Sequence, residues 1–182
     1  MARLRRLDLD NLSPEQRTVA DAIRSGPRGG LRGPFEPWLR SPGLADPAQR
    51  LGEYCRFHSS LPRDLSELAI LLAGKHWRAQ FEFWAHTRLG REAGLADDII
   101  EAVRVGQEPP FGREEERVVY DFVTEYFRTN RVPDGTYRRA IDAFGERGVV
   151  DLVGTVGYYG LVSMTLNVFE IDVPEGEAAP LP

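Results

Sequence analysis

Residues 64–75, DLSELAILLAGK, are apolar on almost every side of a helical wheel. A helix without a polar face has to be surrounded by other elements. That one segment commits the chain to a layered core with 64–75 inside it, and the remaining pattern supplies helices to surround it. Ser13-Pro14-Glu15-Gln16 sets an N-cap serine, a first-turn proline and a glutamine three residues on, the signature of a capping box, and Gly26-Pro27 provides the stop. Further helices are expected at 47–58, at 76–93 closed by Gly94, at 96–105 opening on Asp97-Asp98, and at about 114–129, 134–147 and 149–169. The last is rich in β-branched residues, yet its length and its lack of period-two alternation favour helix over strand. The expected fold class is all-α, a single-domain bundle of seven or eight helices.

With 182 residues and 42% hydrophobic side chains the chain can bury a core of one domain. No repeat of 20–50 residues and no interdomain linker interrupts it. Within residues 1–182 the pattern divides into an N-terminal helix with a Gly/Pro-rich loop (1–45), a core (46–173) and a flexible tail (174–182, PEGEAAPLP), expected to fray or to lie on a neighbouring molecule. The stretch 26–37, GPRGGLRGPFEP, is too dense in glycine and proline for regular structure and reads as a lid or linker, tied back to the core by Trp38, Leu39 and Leu44.

Charge and cysteine usage exclude several classes. The balance of 23 basic and 28 acidic residues gives a net charge of −5, against a general affinity for nucleic acid or anionic lipid. The single cysteine, Cys55, rules out an intrachain disulfide, a CxxC redox pair and a multi-thiolate metal site. The N-terminus lacks the apolar run of a signal peptide, and the longest apolar stretch, 149–169, is interrupted by Asp151 and three glycines. A cytoplasmic protein without a membrane span is expected.

The chemistry concentrates in 64–94. Glu67 lies among apolar neighbours, and an unpartnered carboxylate there is costly. Glu82 and His86 are spaced i,i+4, one turn apart on one helix face, where a carboxylate orients the imidazole, fixes its tautomer and raises its pKa. Such a pair on an apolar face suits proton transfer in a dry pocket. The same spacing also occurs on solvated helices as a simple ion pair, and Lys75 and Arg78 are alternative, purely structural partners for Glu67. His76 reads as a cap or surface residue. Trp77, Phe81, Phe83 and Trp84 read first as packing.

Over LPRDLSELAILLAGKHWRAQFEFWAHTRLGREAGLADDIIEAV the chain resembles the carboxymuconolactone decarboxylase family, which also contains the alkylhydroperoxidase D (AhpD) proteins. The resemblance rests on Ser66-Glu67-Leu68-Ala69-Ile70-Leu71, on His86 followed by Gly90 or Ala93 and by Gly94-Leu95, and on the acidic helix from Asp97 to Val103. With the closing segment 149–169 it covers roughly two-thirds of the chain. Where the AhpD branch carries its CxxC pair, this sequence has Ala79 and Glu82, so the likeness is to a thiol-free branch.

What the resemblance implies is a helical bundle of the AhpD-like type and a lyase that needs neither metal nor organic cofactor. Its substrate would be a cyclic or aromatic-derived carboxylic acid such as carboxymuconolactone. In that picture His86 is the acid/base, Glu82 orients and charges it, and Glu67 completes the relay. Arg78, or the loop pair Arg28 and Arg32, would hold substrate carboxylates, with Tyr158, Tyr159 and Asn167 as pocket donors. The partners implied are a small-molecule substrate and further copies of the chain, as a homo-oligomer (trimer or hexamer). Three alternatives stand beside this: thiol-based antioxidant chemistry at Cys55, a non-catalytic oligomeric binding protein, and metal binding by Glu67, Glu82 and His86.

Overall fold

A computed structural model describes residues 3–182, so the first two residues of the expected domain lie outside the described residues. Among the described residues there are eight α-helices and no strand. The first, α1 (Pro14–Ser25), starts as anticipated, with Ser13 Oγ accepting from the Gln16 amide and the Gln16 side chain accepting from the Ser13 amide. A short α2 (Phe35–Trp38) interrupts the Gly/Pro-rich loop. Trp38 and Leu39 tie that loop into the core, whereas Leu44 stays largely exposed.

Helix α3 (Pro42–Glu53) begins five residues before the expected position, because Ser41-Pro42 supplies a helix start and Pro47 is still tolerated near it. The chain then continues through one π-helical turn, Tyr54–His58. The helices α4 (Arg63–His76) and α5 (Gln80–Ala93) form an αα-hairpin, and Gly94 closes α5 in a left-handed conformation. They are followed by α6 (Asp97–Val105), α7 (Glu114–Thr129) and α8 (Asp134–Val168). The break expected between 147 and 149 lies instead at Gly145, whose φ of 65° divides α8 into two helical segments.

Helix α4 is the wall between two cores. Leu65, Leu68 and Leu72 face one cluster with Ile99 of α6, Val119 of α7 and Leu152 of α8. Ile70 and Ala73 face the other, with Ile23 of α1, Trp38 and Leu166 of α8. Every residue from Leu65 to Gly74 is buried, which is why this helix shows no polar face. Helix α8 is the one described helix long and apolar enough to cross a membrane, and most of that apolar window is packed inside the fold.

The tail departs from expectation. It neither frays nor leaves the chain but folds back over the start of α5. Gln80 brackets Leu181 with both amide atoms, Nε2 donating to the Leu181 carbonyl at 3.0 Å and Oε1 accepting from its N–H at 2.8 Å. The Leu181 side chain is buried, and Arg104 holds the Pro180 carbonyl at 3.0 Å.

Candidate active site

The α4–α5 hairpin brings Glu67, Glu82 and His86 together. Its two helices are joined by only Trp77–Ala79. The i,i+4 pair thereby faces inward: Glu67, Glu82 and His86 are 2%, 3% and 5% exposed. His86 Nδ1 lies 2.6 Å from Glu67 Oε2, and His86 Nε2 lies 2.9 Å from Glu82 Oε1. The two contacts are not equivalent. The first is an aligned hydrogen bond, whereas Glu82 Oε1 sits off the line of the ring N–H and is left without a hydrogen-bond partner.

Burial alone would push the imidazole toward its neutral form, but Glu67 and Glu82 more than reverse this and raise the His86 pKa from 6.5 to about 9. The ring is therefore an imidazolium at neutral pH. Tyr159 packs edge-on against it with centroids 4.9 Å apart, and Tyr158 packs edge-on against Tyr159 at 5.2 Å. Burial holds both phenols above their ordinary pKa, so neither supplies a phenolate.

Glu82, His86, Tyr158 and Tyr159 border a cavity of about 620 Å³, which also takes lining from Arg28, Arg56, Phe81 and Trp84, while Glu67 is not among the lining residues. That volume suits a small organic ligand. Two other concavities, of about 290 and 470 Å³, lie beside α7 and contain none of the three buried titratable groups. His86 lines the large cavity with Nδ1 on Glu67 and Nε2 beside Glu82, and Glu82 lines the same cavity.

The other sequence candidates divide. Tyr158 and Tyr159 line the cavity, as do Arg28 and Arg32. Arg78 does not. With α5 starting at Gln80 instead of residue 76, Arg78 falls in the turn with φ 53°, and its Nη2 donates to the Pro182 carbonyl at 2.8 Å. Asn167 also lies outside, its Nδ2 donating to the Trp77 carbonyl at 2.6 Å. Among the described residues no group of three or more His, Cys, Asp or Glu side chains is arranged to hold a metal.

Cys55 is buried away from the cavity lining. Burial raises its thiol pKa, which disfavours the thiolate that peroxide chemistry requires.

The fold matches a solved one. A crystal structure of a protein of unknown function from Agrobacterium tumefaciens, described as a candidate antioxidant-defence protein AhpD, is similar with a TM-score of 0.68. The likeness covers 79% of this chain and 99% of that one, at 19% sequence identity. The chain has the AhpD-like fold. No family model and no curated protein matches its sequence. Within the AhpD-like bundle, sequence reasoning overlooked Arg56 and Gly52. Arg56 is brought to the cavity by the π-helical turn, which leaves no mark in the hydrophobic pattern. Gly52 carries no signal in the sequence pattern, although its bare Cα is what admits Tyr158 and Arg28.

Proposed function

We propose that the protein is a cofactor-independent proton-transfer enzyme, a lyase acting on a cyclic or aromatic-derived carboxylic acid such as carboxymuconolactone. One observation carries the reading: a buried histidine clamped between Glu67 and Glu82 in the wall of a ligand-sized cavity.

The chemistry follows from that arrangement. The carbon–carbon bond to the departing carboxylate breaks, carbon dioxide leaves, and the electron pair delocalises through the enol-lactone as a dienolate. His86 Nε2 donates its proton to the carbon that receives those electrons, and the neutral imidazole regains a proton from solvent. His86 is the catalytic residue. Glu67 and Glu82 are positioning residues, which hold the ring and keep it charged until donation. Closure of the cavity by the 26–37 loop would exclude water from the dienolate.

The test is ultraviolet monitoring of carboxymuconolactone with metal-free wild type and His86→Ala side by side. Substrate loss with wild type alone is expected. Equal turnover by both proteins removes His86 as the acid, and turnover by neither removes the named substrate.

A further inference from the structure

The cavity holds a charge that the proton relay does not use. In a chain of net charge −5, five arginines line it: Arg28, Arg32, Arg56, Arg88 and Arg91. Two are neutralised locally, Arg88 by Glu92 at 3.4 Å and Arg91 by Asp97 at 2.5 Å. Arg28 and Arg56 are half-buried and make no ion pair with a carboxylate among the described residues. A half-buried cation without a counter-charge is unfavourable unless something else supplies the charge.

Both guanidinium groups are held in built positions. Arg28 lies over the Phe35 ring, 5.0 Å from its centroid, and its Nε and Nη2 are sealed from solvent without a hydrogen-bond partner. Nη1 is therefore the nitrogen left to face the cavity. The seal comes from Gly52: a Cβ there would collide with both the Tyr158 hydroxyl and Arg28 Nη2. Arg56 lies over the Phe57 ring at 4.9 Å, on the π-helical turn Tyr54–His58. That turn is fastened to α8 at both ends by Asp151, which accepts from the Tyr54 hydroxyl at 2.9 Å and from the Ser60 amide and hydroxyl at 2.7 and 2.6 Å. A π-helical turn rotates the residues it carries relative to a regular helix, and such turns recur at functional sites.

From these observations we infer that Arg28 and Arg56 form the anchor for a carboxylate that the ligand keeps. The inference rests on the reading of this cavity as the ligand site, and it specifies the ligand class: an acid with a spectator carboxylate besides the carbon presented to His86 Nε2. Chemistry favours the spectator over the departing group. Pairing arginine with the departing carboxylate would stabilise the ground state more than the transition state and slow its loss, whereas pairing with a retained carboxylate orients the ligand without that penalty.

The test is isothermal titration of the intact chain with phthalate and benzoate, and with neutral benzamide as the uncharged control. The carboxylates are expected to bind and benzamide not to. Arg28→Gln and Arg56→Gln should each weaken binding about tenfold or more, as loss of a charge-assisted hydrogen bond does. Arg88→Gln, the same charge change in the same cavity at a residue already paired with Glu92, should leave affinity unchanged. Arg28→Lys keeps the charge but loses the planar group stacked over Phe35 that sets where Nη1 lies, and serves where the glutamine variant fails to fold; it too should bind more weakly. Equal weakening by all three glutamine variants would show a diffuse field instead of an anchor, and absence of binding by both carboxylates at millimolar concentration would overturn the inference. Because the readout is heat and not turnover, binding without catalysis rejects the proton-transfer reading alone, and catalysis indifferent to Arg28 and Arg56 rejects the anchor alone.

Discussion

The charge on His86 makes folding stability depend on pH in a direction opposite to that of a simple buried histidine. Its pKa stands at about 9 in the fold against 6.5 for the free side chain, so between these values the folded chain binds a proton that the unfolded chain does not. Stability from this group is fully present below pH 6.5 and is lost as pH rises through about 9. Each tenfold gain in proton affinity is worth about 1.4 kcal/mol, so the rise corresponds to about 3 kcal/mol at its limit. Urea unfolding at a series of pH values across this window, for wild type and His86→Gln at one protein concentration, measures it, and a nitrogen-detected imidazole titration reports the same pKa directly. Wild type should lose stability across the window while His86→Gln, already destabilised, stays nearly flat. Parallel curves, or an imidazole that titrates at or below 6.5, would refute the assignment of an imidazolium held by two glutamates.

Gly52→Ala should displace both Tyr158 and Arg28, lowering stability by about 1–3 kcal/mol in thermal or urea unfolding and weakening phthalate binding in the same protein. Asp151→Asn keeps the size of the residue that fastens the π-helical turn to α8 but removes its charge. Burial would raise that carboxyl's pKa, yet hydrogen bonds from Ser60 and Tyr54 hold it below its ordinary value. The variant should therefore be less stable than wild type at neutral pH, with the difference shrinking as pH falls through the carboxyl's range. Native Cys55 should resist maleimide and react only after unfolding, and rapid native labelling would reopen thiol chemistry. For the proposed homo-oligomer, α8 carries an exposed apolar stripe that includes Val153 at 56% and Met164 at 51% exposure. Val153→Glu is expected to lower the mass found by light scattering, and an unchanged mass would remove that face.

The legible part of the fold was whatever rests on short-range regularity. The all-round apolar character of α4 forecast its burial, Ser13 and Gln16 forecast the start of α1, and the i,i+4 spacing forecast that Glu82 and His86 share a face. Whether that face turned inward required Glu67 to arrive from another helix, which spacing along α5 alone does not encode. What escaped reading depends on single backbone conformations or on long-range partners. Arg78 is at i−4 from Glu82 and would join its face if α5 began at residue 76, but one left-handed residue sends it to the tail. The tail looked free because its anchors, Gln80 and Arg104, lie about a hundred and about eighty residues earlier. The π-helical turn adds its offset without any change of residue type.

The clamp of two carboxylates around one ring would also fix the rhythm of the proposed turnover cycle. With a pKa of about 9, only roughly one molecule in a hundred is discharged at pH 7, so the resting protein is already loaded and the proposed reaction needs no arming step. Once the proton is given up, a neutral ring stands between two negative groups, and recharging is strongly downhill. The same feature sets a threshold on what can discharge it. A weakly basic ligand atom takes no proton from so reluctant a donor, whereas a carbon bearing electron density released by bond cleavage does. The site is in effect a spring held at full extension, released only by a partner created during the reaction.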